Sequence, residues 1–462
     1  MKNILFSLLL LLSINTLVAQ TGLMGYGSAA AVPSASANPA LTTDARWVIG
    51  LPLISSFQLE ANTSFKLAES MVKTSAGKTV LDLNRFASFS KERNYMQANM
   101  GLDLFSVGFR VKSKNFISVG MQHYSSISGT FSDDFIKLIA DGNAGKPVVT
   151  LDNESLYINQ FNAFYAGLSR SFMSDKLTIG ARLKLIQGIG NFQTDKSSLV
   201  LQTDANSNPA YAISLTGNLQ AQGGGLYGIL LDSTLRKKTS ENVQSNLFGM
   251  GKGVGIDIGV NFKLSDKVNL SASAVNLGNI TWKQEFSRFI SLAGTGNFVY
   301  SGLKKDLGAE GQTTISHDID SVRSNFDKAF TVKTSKVEYS TTLPTIFAAA
   351  VSYNINEKHQ VMAMLRAQSL NGQKTQLIGF KYQFTPFRSL QLMGGMSLVT
   401  DAPASIGLGV VWSPGPFQLH LLADNIKAVT AIDNNNYAQI QMGLNIVLKK
   451  RKMAEVVVLP PQ

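Results

Sequence analysis

The chain has no cysteine, which excludes disulfide stapling and thiolate metal sites. Charge is also sparse, at 16% of 462 residues. No segment after the N-terminal region reaches the roughly 18 consecutive apolar residues that a transmembrane helix needs, although 44% of the chain is hydrophobic. The four histidines, His123, His317, His359 and His420, are too dispersed for a metal motif such as H-E-x-x-H. Gly251-Lys252-Gly253-Val254-Gly255 and Gly223-Gly224-Gly225 lack the spacing and the Lys-Ser/Thr end of a phosphate loop. No cofactor and no metal are expected. The net charge of +12 comes from lysines and arginines spread along the chain, with no basic face interleaved with aromatics, so nucleic acid is not an expected partner. Such charges suit a lumen or anionic lipid headgroups.

What is present begins with one cation, Lys2, then an apolar run from Ile4 to Leu12 and a small-residue end at Leu17-Val18-Ala19-Gln20. These are the parts of a secretory signal peptide, expected to be cleaved so that the mature chain starts near Gln20. As an uncleaved anchor the run is short for roughly 30 Å of hydrocarbon.

The rest of the chain alternates. Ile256, Ile258, Val260, Phe262 and Leu264 interleave with Asp257, Gly259, Asn261 and Lys263, turn at Ser265-Asp266-Lys267, and continue as Val268, Leu270, Ala272 and Ala274 against Asn269, Ser271 and Ser273. The same unit recurs at Leu177 to Leu185 after Met173-Ser174-Asp175, and at Phe105 to Val111 with a turn at Lys112 to Asn115. It recurs again at Ile406 to Trp412 with Ser413-Pro414-Gly415-Pro416, and at the turns Asn356-Glu357-Lys358 and Thr385 to Arg388. Six tight turns define twelve strands; one before them (Arg46 to Phe57) and one after (Ala438 to Leu448) make about fourteen, with both ends on one side. The expected fold is all-β, a transmembrane antiparallel β-barrel of the outer membrane, with short turns inside the periplasm and long loops outside. A soluble sandwich shares the alternation, but its strands run five or six residues, whereas these run roughly nine to eleven, the length that crosses a bilayer. Gly108, Gly180, Gly259 and Gly443 fall on the polar face, where a narrow lumen crowds side chains. Short helices are expected in the outer loops at Leu67 to Val72, Leu83 to Asn94 and Asp134 to Ala140, and large polar loops at Thr194 to Ser240 and Ser287 to Thr334.

Upstream of the first strand, the small residues Met24-Gly25-Tyr26-Gly27-Ser28 to Ala37 lead into Asn38-Pro39-Ala40-Leu41. This segment resembles the N-terminal hatch of FadL-like fatty-acid transporters and of the PorV-like barrels of Bacteroidota; the lesser alternative is a disordered leader joining signal peptide to barrel. The stretch Gly255 to Trp282, with Asp134 to Asn143 and Asp424-Asn425-Ile426, is similar to a Bacteroidota family of outer-membrane barrels of unknown function. That resemblance implies fold and location, with no chemistry to transfer residue by residue. The sequence departs from many such barrels in its end: the last strand is followed by Lys449-Lys450-Arg451-Lys452 and a tail to Gln462. That tail is either a disordered basic end or, through Val456 to Leu459, a strand for a periplasmic partner.

The organisation expected is therefore signal peptide 1–19, hatch 20–44 with Asn38, Pro39 and Ala40 at its end, barrel 45–448 and basic periplasmic tail 449–462. Arg110, Arg182, Lys184, Asp257, Lys263, Arg366 and Asp424 are candidates for the lumen, where they pair with each other, hold the plug or select a permeant. The function implied is FadL-like passage of a hydrophobic or amphipathic small molecule, or alternatively PorV-like binding of an envelope protein through the loops or tail. Outer-membrane lipid and lipopolysaccharide are the expected surroundings. Some barrel hydrolases turn a Ser-His pair toward lipid, and His123-Tyr124-Ser125 places His and Ser on one strand face. Without a recognisable orienting carboxylate the chain is not expected to be an enzyme.

Overall fold

The computed structural model describes residues 22–73, 79–141, 147–152, 154–204, 206, 212–232, 249–298, 332–431 and 434–448. The expected signal peptide, the basic tail and His317 lie outside them. Fourteen antiparallel strands close into a barrel. They are β1 (Trp47–Gly50, resumed at Phe57–Thr63), β2 (Arg93–Val111), β3 (Asn115–Ser132), β4 (Ser155–Phe172), β5 (Leu177–Asp204), β6 (Gly251–Lys263) and β7 (Val268–Trp282). Then follow β8 (Tyr339–Thr342, resumed at Thr345–Asn354), β9 (His359–Leu370), β10 (Gln373–Phe387), β11 (Leu390–Val399), β12 (Ser405–Trp412), β13 (Phe417–Ala423) and β14 (Tyr437–Leu448). Closure runs from Trp47 opposite Leu448 to Asn62 opposite Tyr437, which leaves no open edge in the wall.

The burial pattern is the reverse of a soluble domain. Leu183, Leu185, Ile258, Leu365, Phe380, Leu398, Ile406 and Leu421 point outward and are exposed, while Lys184, Asp257, Arg366, Gln383 and Asn445 are buried inside. A contiguous apolar exterior of this size needs hydrocarbon around it. Near the short turns the exterior carries Trp47, Phe172, Tyr353, Phe387, Trp412 and Phe417, an aromatic belt at one interface. No helix among the described residues is long and apolar enough to cross a membrane.

Several expected boundaries shift. The first strand is interrupted: Gly50 pairs with Ser106 and Phe57 with Leu102, so Leu51 to Ser56 stand against only Asp103 to Phe105. Pro52 has no N–H for the ladder and Leu53 adopts a left-handed φ of 65°, which throws Leu53 and Ile54 outward. The polar loop expected at Thr194 to Ser240 is instead largely strand: β5 runs for 28 residues, and Ala212–Gly225 pairs with its upper half. Ser287–Phe298 and Val332–Lys336, expected as loop, continue this sheet, and Val148–Asp152 joins on the other side of β5. Ile213, Leu215, Leu219 and Ala221 alternate with Ser214, Thr216, Asn218 and Gln220, which is a strand signal in the middle of the expected loop, and Val149 and Leu151 of the flanking strand are buried. The helix expected to Asn94 ends at Phe89, its start capped by Asp82, whose carboxylate accepts the Arg85 amide at 3.1 Å. Leu67–Ser70 is a single 3₁₀ turn, and Asp133–Asp141 is helical as expected. Three outer connections are short, the tightest being the Asn371-Gly372 turn, so the wall stands high around β2 to β7 and low around β9 to β13.

Candidate functional site

The lumen is filled from its own N-terminal segment. Residues 22–45 enter the barrel and sweep around its interior before β1 begins. Their helix α1 (Ala31–Ala37) has Pro33 in its first turn, where a missing N–H costs nothing. Its N-cap, Ala30, offers no side-chain acceptor; instead Gln418 of the wall accepts the Ala31 amide at 2.8 Å and donates to Ala29 O at 3.0 Å. The helix stops at Asn38 because Pro39 disfavours helical geometry at the residue before it.

Asn38 then becomes the plug's main anchor. Its Oδ1 accepts the Ala40 amide at 2.9 Å, and its Nδ2 donates to Tyr26 Oη, Ala272 O and Val260 O at 3.1, 3.1 and 3.3 Å. Ser169 donates to Pro39 O and Ser273 to Ala37 O. The wall is bared where the plug lies against it. A Cβ on Gly259 would stand 2.0 Å from Asn38 Oδ1, and one on Gly180 2.4 Å from the Pro39 carbonyl. Gly379 and Gly407 leave room likewise for Leu23 and Met24. These inner-face glycines therefore seat a segment of chain; Gly443 does the same for Ser55, and Gly108 for Phe116.

The plug's beginning is clasped by charge. Asp424 accepts the amides of Leu23 and Met24 at 2.6 and 2.9 Å, and Lys381 donates to Tyr26 O and Met24 O at 2.6 and 3.3 Å. Lys381 escaped sequence reading because a Lys between Phe380 and Tyr382 is indistinguishable from any polar-face residue.

Toward the outside the lumen is crossed by side chains from opposite walls. Arg366 of β9 grips Glu60 of β1 with two bonds, at 2.9 and 2.8 Å, both residues buried. Beside them Thr375 donates to Gln97, and Asn62 and Tyr95 reach Thr400 O. Glu60 also was missed, since its partner is 306 positions away. Between this bridge and the plug, Tyr26, Leu102, Val275, Ile346 and Met364 line a cavity of about 40 Å³, room for a few waters.

A second charged group joins β2 to β7. Lys184 pairs with Asp257 at 2.8 Å and donates to Asn276 Oδ1 at 2.5 Å; Asp257 accepts the Asn276 amide at 2.8 Å. Arg182 lies over the Tyr165 ring, and Asp103 accepts from Gln122, which also donates to the plug's Ser36. Arg110 sits at the lower mouth and donates to Thr42 and Thr43 at the plug's end. Lys263, placed inside by its alternation, is exposed at the rim, because the alternation continues past the point where the lumen ends. Removing one member of a buried pair strands the other charge. Lys184→Met is thus expected to destabilise the barrel by about 3–5 kcal/mol, measured as a lowered urea midpoint for unfolding from vesicles.

Residues 39–424 match a family model described as a family of unknown function, DUF5723. The chain belongs to this family. No curated protein matches it. Among solved structures, this DUF5723 barrel is similar to the Pseudomonas putida toluene transporter TodX, with 11% identity over 94% of this chain and 100% of that one and a TM-score of 0.42. It is also similar to a TodX deltaS2S3 mutant monoaromatic hydrocarbon channel, at 12% identity, 95% and 98% coverage and TM-score 0.43. A Pseudomonas aeruginosa FadL homologue matches at 10% identity, 94% and 99% coverage and TM-score 0.31. His420 is buried inside the wall, His359 stacks on Phe384 at the aromatic belt, and His123 faces outward. No group of three or more His, Asp or Glu side chains able to hold a metal gathers among the described residues.

Proposed function

We propose that the barrel resides in the outer membrane and passes a hydrophobic or amphipathic small molecule through a lumen held shut by its own plug. The observation that carries this reading is the manner of closure. A plug made of the N-terminal segment and tied to glycine-bared walls by hydrogen bonds, beneath a side-chain bridge, is a barrier that can move without unfolding the wall. A permanently sealed barrel would fill its interior with wall side chains, as narrow barrels do. The cavity between the two barriers sets Leu102, Val275, Ile346 and Met364 beside Gln58, Asp103, Gln122 and Arg366, so that a path opened there would offer a greasy body with a polar end both kinds of contact.

Uptake into vesicles tests this directly. Liposomes carrying the protein without residues 22–41 are expected to admit a small aromatic or amphiphilic dye at least about tenfold faster than empty liposomes. Equal rates with and without the protein would rule out conduction.

A second reading, binding of an envelope protein, draws support from the sheet of Val148–Asp152, upper β5, Ala212–Gly225, Ser287–Phe298 and Val332–Lys336, which stands beyond the apolar band. Outer-membrane lipid and lipopolysaccharide would surround the barrel in either case.

A further inference from the structure

On β3, Gln122 and Tyr124 point into the lumen, where both line the cavity, so His123 and Ser125 between and beyond them point to the lipid side. They stand about 6.6–6.8 Å apart along the strand, neighbours on one face. The ladder places Asn162 directly opposite His123, Gln160 directly opposite Ser125, and Gln187 opposite Asn162. These polar residues interrupt an exterior that below them is apolar, with Val119, Phe164 and Leu168 exposed to lipid.

Their hydrogen bonds run in one direction. Asn162 Nδ2 donates to Gln187 Oε1 at 3.1 Å, which turns Asn162 Oδ1 toward His123 Nδ1, 2.9 Å away. The imidazole therefore holds its proton on Nδ1 and keeps the Nε2 lone pair as a base. Gln160 Nε2 meets Ser125 Oγ at 3.4 Å. A nucleophile, a base beside it, a residue that orients the base and an amide donor next to the nucleophile thus share one half-buried patch.

We propose that His123 and Ser125, with Asn162 as positioning residue, form a lipid-facing site that hydrolyses an acyl ester of a membrane lipid. Ser125 Oγ attacks the ester carbonyl while His123 Nε2 takes its proton. Gln160 Nε2 then donates to the oxyanion that forms on the carbonyl oxygen. The tetrahedral intermediate collapses by breaking the bond to the lipid alkoxide, which leaves with the proton from His123. Water from the interface, deprotonated by His123, attacks the acyl-serine, and the fatty acid departs as Ser125 regains its proton. Ser125 reaches His123 by rotation about χ1 once an ester displaces its contact with Gln160; catalytic hydrogen bonds are commonly loose before substrate arrives. The depth suits the substrate, because acyl chains lying along Val119 and Phe164 bring their ester carbonyls up to this patch. The site is separate from the plug and independent of the conduction reading.

The test uses the whole barrel in two sets of vesicles, one of diacyl phospholipid and one containing lipopolysaccharide, each with labelled acyl chains. Free fatty acid is expected from at least one lipid, and the lipid that yields it identifies the source. Release should fall about 10³-fold in Ser125→Ala and in His123→Ala. Asn162→Ala should lose less and be rescued by Asn162→Asp, whereas a merely structural Asn would not be. Gel mobility of the folded barrel confirms that each variant is intact, and a lipophilic fluorophosphonate should tag the peptide containing Ser125. Release from both lipids no faster than that of Ser125→Ala would overturn the proposal.

Discussion

Gly259→Val is expected to unseat the plug and turn a closed barrel into a conducting one. The added Cβ would stand 2.0 Å from Asn38 Oδ1. Asn38 cannot step aside, since its Nδ2 is engaged by Tyr26, Val260 and Ala272 at once. Two of these bonds, to Val260 and Ala272, hold the plug to the wall, and losing them at about 1 kcal/mol each shifts the balance between seated and released plug by about thirtyfold. The chain has no cysteine of its own, so a single Ala35→Cys reports the change cleanly: maleimide labelling should rise in the Gly259→Val background, with ion current across a planar bilayer. Gly394→Ala is the matched control, because its nearest neighbour, Leu408 Cδ2, is 3.8 Å away. Unchanged labelling in Gly259→Val would mean that the plug does not rest on this glycine.

Arg366→Met is expected to lower stability by about 3–5 kcal/mol, because it leaves the Glu60 carboxylate buried without its cation. The double variant Glu60→Gln with Arg366→Met should recover much of that loss, since neither charge then remains inside. Both quantities come from urea unfolding in lipid vesicles. The bridge also joins opposite walls, so the double variant should be stable and yet leave the outer mouth less firmly closed. Combined with the plug deletion, it should speed dye entry beyond the deletion alone. A double variant as unstable as Arg366→Met would show that the bridge matters through packing of the Arg366 side chain and not through its charge.

Some of this was legible in the residues and some was not. The barrel wall was, because alternation such as Ile256 to Leu264 and turns such as Ser265-Asp266-Lys267 are local signals that need no distant partner. The outer strands were not: from Thr194 to Asp204 the apolar residues Leu199, Val200 and Leu201 are consecutive instead of alternating, and pairing with Ala212–Gly225 and Val148–Asp152 makes the stretch strand. The break in β1 had its cause in view, at Pro52, but its register could be read only against β2 and β14. His123 and Ser125 were visible as a pair, whereas Asn162 was not, since the orienting residue is set by the ladder and is an amide where a carboxylate was sought.

What the sequence by itself determined is the wall: strand period, turn positions and the apolar exterior follow from neighbours two to twenty residues apart, and hydrocarbon outside rewards no other arrangement of these residues. What only the tertiary structure decided is the inside. Asp424 meets Leu23 across 401 positions, and Glu60 meets Arg366 across 306. No periodicity encodes such pairs, because closure of the ring, and not any local preference, chooses which buried charges face each other.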